Sequence, residues 1–172
     1  MSRALLIVDM QVSHFPPDNL PFRASETLEV NRWLIERARR RGVPVIFIQH
    51  CAGKGSRYEP GTPGWEIHPA LAPRDGEAVI RKWHPDPFQG TELQDVLASL
   101  GTRKLIVAGM RSEMCVDTTV RRAYSLGYEV ELVSDGHTAW TTEAAPAEVI
   151  VAHHNQVLGR FAKVVPHQQA DL

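Results

Sequence analysis

Residues 105–116 read LIVAGMRSEMCV, a strand-like run that passes directly into a helix-like one. Four consecutive aliphatic residues are typical of a strand that is buried on both faces. Cys115 falls in the first turn of the segment that follows, where backbone N–H groups are unpaired and the helix dipole is positive. Both effects favour the thiolate, the form of cysteine that attacks carbonyl carbon. Cys115 is therefore a candidate nucleophile.

Similar apolar runs recur along the chain and alternate with helical patterns. The other runs cover residues 4–8, 43–48, 78–80, 128–133 and 162–165. Apolar residues at helical spacing predict helices between them that stop at Gly42, Gly101, Gly127 and Gly159. This alternation predicts an α/β fold with a parallel sheet covered by helices on both faces. No linker divides the chain, so we expect one domain over residues 1–172.

Residues 53–75 interrupt the alternation. They contain four glycines and four prolines, a composition that excludes a long helix or a central strand. A loop this long in a compact domain is often functional. We therefore expect it to form a wall or a lid over a site and to contribute to specificity.

Composition bounds the class of protein. Of the 172 residues, 43% are hydrophobic and 23% are charged, values typical of a globular domain with a sizeable core. The formal net charge of −1 gives no reason to expect a nucleic-acid partner. No apolar run approaches the ~20 residues that span a bilayer, and we find no signal peptide. The two cysteines are not at the spacing of a zinc site, and two are too few to suggest a disulfide scaffold. We therefore expect a cytoplasmic protein, and the lack of a spanning segment predicts no membrane partner.

Three chemically active side chains stand where apolar runs end. The first run ends in Asp9, the third leads to Lys82, and the fourth leads to Cys115. In open α/β sheets ligands bind beyond the carboxyl ends of the strands, so these side chains can converge. A cysteine nucleophile needs a base to take its proton and return it to the leaving group, and an ammonium would stabilise the thiolate. Alone, each has an ordinary interpretation as a turn residue, a solvated cation or a small core residue.

Three segments make the chain similar to the isochorismatase-like hydrolases, also called the cysteine hydrolase superfamily. They are residues 6–11 (LIVDMQ), residues 79–82 and 87–93 (VIRK and PFQGTEL), and residues 109–119 (GMRSEMCVDTT). The resemblance implies a Rossmann-like three-layer sandwich with a six-stranded parallel sheet flanked by helices. It also implies that Asp9, Lys82 and Cys115 form a catalytic triad. Such a triad would hydrolyse an amide or a related C–N bond of a small molecule through a thioester, with Asp9 carrying the proton.

The resemblance implies further features of the site. A non-proline cis peptide bond is expected at Met110–Arg111. The backbone N–H groups of Arg111 and Cys115 would then form the oxyanion hole, in which a single donor can lower a barrier by ~2.7–4 kcal/mol. We expect no cofactor, and because members of the family often form dimers or tetramers, we expect a homodimer or a homotetramer.

Two departures narrow the implied function. Nicotinamidase-type members bind a metal after the second strand through an Asp-x-His pair and a further His. Here residues 48–53 read IQHCAG, without that pair, so we predict no metal. The branch that cleaves the vinyl ether of isochorismate does not use a cysteine nucleophile, so Cys115 argues against that substrate.

Four more residues are candidates for binding substrate. Gln11 could support the site through its amide, and His50 could line the pocket or be a structural histidine. Trp83 and Phe88 could be apolar walls, with core packing as the competing interpretation. For His137, which follows the fifth run, a role in a turn is the simpler interpretation.

Two other functions compete with the cysteine hydrolase. The first is a non-catalytic protein of the same fold that binds small ligands or serves in assembly, because fold does not determine function. A metal-dependent nicotinamidase is the other, and the metal content of the protein would identify it. The intact set of Asp9, Lys82 and Cys115 favours the hydrolase. On this interpretation Cys115 should be alkylated rapidly at neutral pH, and Lys82→Ala should slow the reaction.

Overall fold

The computed structural model describes residues 2–172, which form a central sheet with helices on both sides. The strands are β1 (Arg3–Val8), β2 (Val45–His50), β3 (Ala78–Lys82), β4 (Lys104–Met110), β5 (Glu129–Thr138) and β6 (Lys163–Val165). The α-helices are α1 (Ala24–Arg40), α2 (Leu93–Ser99), α3 (Asp117–Ser125) and α4 (Ala147–Leu158). Each helix ends one or two residues before a predicted glycine stop. The predicted α/β fold is confirmed.

The strand order places a ligand crevice in the middle of the sheet. Within the described residues the six strands are all parallel and run in the order β3-β2-β1-β4-β5-β6. This is the order of the Rossmann fold, and it reverses between β1 and β4. In such sheets the crevice lies outside the carboxyl ends of the two strands at the reversal. Asp9 follows β1 and the segment that carries Cys115 follows β4, so both lie at this crevice.

Apolar side chains cover both faces of the sheet. Alternate residues of a strand point to opposite faces, so Leu6 and Val107 pack with α2 and α3 while Leu5 and Ile106 pack with α1. All four side chains are 0% exposed. Burial on both faces explains why these strands are nearly continuous in aliphatic residues.

Gly109 allows β1 and β4 to approach each other beside the site. Its φ is +125°, and a Cβ atom at this position would lie 2.1 Å from the carbonyl oxygen of Val8. No L side chain fits there, so the position requires glycine. Because Val8 precedes Asp9, this close approach brings the end of β1 against the segment that leads to Cys115.

Several elements extend beyond the apolar pattern. Strands β2 and β3 continue to His50 and Lys82, and β5 continues to Thr138 after a register shift against β4. Polar residues at strand ends face the crevice rather than the core, and hydrophobicity does not identify them. As predicted, residues 53–75 hold no long helix or strand. Their regular structure consists of one short helical turn, Pro69–Leu71, and one bridge from Ile67 to Gln11. Among residues 2–172 no helix has both the length and the apolar composition of a membrane span.

Candidate active site

Three strand ends bring a carboxylate, an ammonium and a thiol together. The Nζ atom of Lys82 lies 2.8 Å from Oδ2 of Asp9 and 3.2 Å from Sγ of Cys115. Asp9 and Lys82 are 1% and 0% exposed, whereas Cys115 is partly exposed. The three side chains therefore meet at one edge of the sheet, with the sulfur nearest to solvent.

The length of the Lys82 side chain explains how it reaches this position. β3 lies two strands from β1, and adjacent strands are ~4.8 Å apart, so the side chain crosses the end of β2. On the way its Nζ atom lies 3.4 Å from Nδ1 of His50, the last residue of β2. The three N–H bonds of the ammonium can therefore point to Asp9, Cys115 and His50. This arrangement fixes the charge of Lys82 beside the sulfur.

Cys115 lies in a short π-helical turn, Ser112–Val116, which leads directly into α3. The peptide bond Met110–Arg111 just before it is cis, as the resemblance implied. The carbonyl of Arg111 accepts a hydrogen bond of 3.1 Å from the N–H of Val116, which closes the turn. The N–H of Arg111 donates to no atom of residues 2–172, so it is available to a bound group.

His137 holds this turn in place from behind. Its Nδ1 atom lies 2.7 Å from the hydroxyl of Ser112, and its Nε2 atom lies 3.0 Å from Oδ1 of Asn155. Asn155 in turn donates to the carbonyl of Ser134. Because this arrangement leaves Oδ1 of Asn155 as an acceptor, we assign the proton of His137 to Nε2 and the Ser112 hydroxyl as the donor to Nδ1. Burial lowers the pKa of His137 to about 4, so the ring is neutral and has a positioning role.

The thiol is more strongly protonated than we expected from its place in the sequence. Burial, and next the negative charge of Asp9, raise the pKa of Cys115 to about 12, and Lys82 opposes this only in part. Burial works against Lys82 as well, but Asp9 and Cys115 raise the pKa of its ammonium overall. This direction is opposite to the one that the start of the helix alone favours. Desolvation outweighs the start of the helix, and attack requires a base that removes the proton.

The pH dependence of alkylation tests this protonation state. We expect the rate of iodoacetamide labelling at Cys115 to rise about tenfold per pH unit from pH 7 to 9, because the thiolate fraction of so weak an acid rises by that factor. Intact mass and peptide mapping measure the rate. Cys51, which is 1% exposed, provides the internal reference for a buried thiol. A rate that reaches its plateau below pH 8 would show instead that the thiolate dominates at rest.

Gln11 and His50 have different positions relative to the triad. Gln11 is fully buried, and its amide oxygen accepts from the N–H of His50 at 2.9 Å. Its amide nitrogen donates to the carbonyls of His50 and Trp65 at 3.0 and 2.8 Å. With both N–H bonds used, Gln11 holds the loop against β2 and has no donor left for a substrate. The His50 ring is half-buried beside Lys82; burial first, and then the charge of Lys82, lower its pKa.

The two residues expected as apolar walls differ in their burial. Phe88 is 8% exposed in the core cluster below α2, where its ring stacks on Tyr128 with centroids 6.1 Å apart. Trp83 is 58% exposed, so it lies at the surface of this chain. The burial of Phe88 favours core packing, the competing interpretation, and a contact with substrate stays a prediction.

A substitution at Phe88 tests this assignment. We expect Phe88→Leu to lower the free energy of unfolding by about 1–2 kcal/mol and to leave KM unchanged, because it removes volume from the core cluster and not a group that contacts substrate. Urea denaturation and steady-state kinetics measure the two effects. The matched variant Trp83→Leu alters an exposed ring and should leave stability within about 0.5 kcal/mol. A raised KM at unchanged stability would place Phe88 in the pocket after all.

Three residues around Asp9 escaped the sequence analysis. Nδ1 of His14 lies 2.6 Å from the carbonyl oxygen of Asp9, and the ring packs on Tyr58 and Trp140 with centroids 5.0 and 5.7 Å away. Burial lowers the pKa of His14 to about 4, so the ring is neutral and donates from Nδ1. Tyr58 also packs on His50, at 5.4 Å, so the loop of residues 53–75 forms a wall of the site. Of the three, only Tyr58 could have been found from the sequence, as an aromatic residue within the Gly- and Pro-rich loop of residues 53–75.

Outside this site, the described part of the chain has a cavity but no cluster of metal-binding side chains. No three His, Cys, Asp or Glu side chains of residues 2–172 are arranged to hold a metal ion. A cavity of about 820 Å³ lies between α1, β5 and α4 and is lined by residues that include Trp33, Asp135 and His167. Asp135 pairs with His167 at 2.6 Å, so it does not join the triad.

Comparisons with known proteins identify the family. The family model of the Isochorismatase domain matches residues 3–169. Two streptothricin hydrolases of Streptomyces noursei are 35% and 38% identical over 98% and 84% of this chain, which spans 69% and 52% of their lengths. The crystal structure of an isochorismatase from Pseudomonas putida KT2440 superposes with a TM-score of 0.90 at 33% identity, covering 96% of this chain and 88% of that one.

A second solved structure is similar over the full length. N-carbamoylsarcosine amidase from Thermoplasma acidophilum has a TM-score of 0.83 and 25% identity, with 100% of both chains covered. The sequence resemblance, the fold and these matches agree. The chain belongs to the isochorismatase family of hydrolases.

Proposed function

We propose that this protein is a cysteine-dependent amidase that hydrolyses a C–N bond of a small molecule through a thioester. One observation carries the proposal: Nζ of Lys82 lies between Oδ2 of Asp9 and Sγ of Cys115, at 2.8 and 3.2 Å. A nucleophile, a base and a fixed cation in mutual reach are what acyl transfer through a thiol requires. The similarity to an N-carbamoylsarcosine amidase supports an amide as the bond that is cleaved.

The first half of the reaction forms the thioester. Asp9 takes the proton of Cys115 as the sulfur attacks the carbonyl carbon, and Lys82 stabilises the developing thiolate. The second carboxylate oxygen of Asp9, Oδ1, is buried without a hydrogen-bond partner in residues 2–172 and can receive this proton. The negative oxygen of the tetrahedral intermediate lies towards the backbone N–H groups of Arg111 and Cys115.

The second half releases the acid. Asp9 returns its proton to the leaving nitrogen as the C–N bond breaks, so ammonia or an amine departs and the acyl group stays on sulfur. Asp9 then takes a proton from water, whose oxygen attacks the thioester carbonyl. Collapse of that intermediate breaks the C–S bond, returns the proton to the Cys115 sulfur and frees the carboxylic acid.

A substrate screen tests the proposal. Small amides, lactams and carbamoyl compounds are incubated with the protein, and release of ammonia or amine is measured. We expect at least one compound to be hydrolysed, with an acyl adduct of Cys115 visible by mass spectrometry after acid quench. Hydrolysis that persists in Cys115→Ala would refute the cysteine mechanism. Activity that requires bound metal would instead favour a nicotinamidase-type enzyme.

A further inference from the structure

Two guanidinium groups lie against one indole at the mouth of the active site. The Cζ atom of Arg57 is 5.6 Å from the centre of the Trp140 ring and 5.2 Å from that of Tyr58. The Cζ atom of Arg111 is 5.4 Å from the centre of the same Trp140 ring. The indole N–H of Trp140 donates to the carbonyl of Asn19 at 2.8 Å, which fixes the ring.

The two arginines differ in their pairing. Nε of Arg111 donates to Oε1 of Glu113 at 2.7 Å, so this pair contributes no net charge. Arg57 forms no ion pair and no side-chain hydrogen bond with any part of residues 2–172. Its side chain is exposed, and aromatic contacts alone hold it. Its N–H groups are therefore free to bind a group that enters from solvent.

Arg57 is also close to the reacting groups. Its aromatic partner Tyr58 packs on the ring of His50 at 5.4 Å, and His50 lies 3.4 Å from Nζ of Lys82. Both Arg57 and Asp9 act on the pKa of His14, which lies below Tyr58 and Trp140. A small molecule whose carbonyl carbon meets Cys115 can therefore extend to Arg57.

The charged groups named above pair off, with one exception. Asp9 cancels Lys82, and Glu113 cancels Arg111. The thiol of Cys115 and the rings of His14 and His50 are neutral at pH 7 because burial disfavours their charged forms. His84, near His50, lies exposed at the rim. Among these groups, Arg57 is the cation that has no carboxylate partner.

We propose that the substrate carries a carboxylate and that Arg57 binds it at the mouth of the site. The inference rests on the proposed function, because it assigns the substrate class of the same site. The guanidinium of Arg57 lies over two aromatic rings and keeps its N–H groups unpaired, and such a group matches the two oxygens of a carboxylate. A neutral amide gains nothing from this group, and a cationic one is repelled by it.

A pair of alkylating reagents tests the charge preference without any need for turnover. Iodoacetate and iodoacetamide have the same leaving group and differ in that iodoacetate carries a carboxylate. Both react with Cys115 at pH 9, and the ratio of the two labelling rates is measured by mass spectrometry. We expect Arg57→Gln to lower the iodoacetate-to-iodoacetamide ratio about five- to tenfold, the effect of one nearby charge in partly screened surroundings. Raising the salt concentration should reduce the ratio in the wild type and have less effect in Arg57→Gln.

Control variants separate the local charge from other causes. Arg37→Gln removes a guanidinium that is also stacked on an indole, 5.1 Å from the centre of the Trp33 ring on α1, and should leave the ratio unchanged. Arg57→Lys keeps the charge and should retain most of the preference. Equal ratios in the wild type and in Arg57→Gln would overturn the proposal. A failed amide screen would refute the amidase and leave this ratio intact, so the two proposals fail separately.

Discussion

Replacing Cys115 with alanine is expected to lower kcat/KM for the best amide of the screen by about 10⁴-fold or more, because no other group can form the thioester. The substitution removes one partly exposed sulfur at the surface of the core. The melting temperature should therefore change little. Ammonia release under steady-state conditions measures the activity, and scanning calorimetry measures the stability.

The second cysteine provides the matched control. Cys51 is 1% exposed, and its sulfur accepts a hydrogen bond of 3.3 Å from the indole N–H of Trp65. A serine oxygen accepts the same bond, so Cys51→Ser should keep kcat/KM within about threefold. A Cys115→Ala enzyme that retains more than about 1% of the activity would contradict the thioester mechanism.

Removing Lys82 is expected to cost about 3–5 kcal/mol of unfolding free energy, because it leaves the buried carboxylate of Asp9 without its partner. Lys82→Met replaces the side chain with one of similar length and no charge. Urea denaturation should show the loss, and hydrolysis should fall below detection.

The double variant separates charge burial from packing. In Asp9→Asn/Lys82→Met both charges are gone, so stability should return to within about 2 kcal/mol of the wild type. Activity should stay absent, because the base is missing as well. If the double variant is as unstable as Lys82→Met alone, the cost arises from the lost lysine contacts and not from an unpaired carboxylate.

The fold and the meeting of the triad follow from patterns that a sequence carries directly. Aliphatic runs that alternate with helical spacing require a parallel sheet, and parallel strands end at a common edge. This reasoning placed Asp9, Lys82 and Cys115 together, although they are 73 and 33 residues apart along the chain. One domain, a cytoplasmic location and assembly into a dimer or tetramer remain predictions.

The contacts around the triad could not be predicted in the same way, because they leave no periodic pattern in the sequence. Gln11 supports the site through its amide, as expected, but its partners are backbone groups of β2 and of the loop, whose path no pattern specifies. The protonation of Cys115 depends on desolvation by distant segments, whereas the sequence shows only the nearby helix start. Arg57 and Trp140 meet across 83 residues, and neither stands at the end of an apolar run.

The three side chains of the triad differ in how deeply they are buried, and this difference affects the order of steps in catalysis. Asp9 and Lys82 are almost fully buried and Cys115 is partly exposed, so a molecule that enters from solvent reaches Cys115 before the other two. On the proposed mechanism, the departing amine and the incoming water share this one approach. The nitrogen-containing product must leave before water can take its place, while the acyl half waits, tethered to the protein. The amine and the water therefore occupy the same position one after the other. Added amines or hydroxylamine should compete with water for the acyl group that is bound to Cys115.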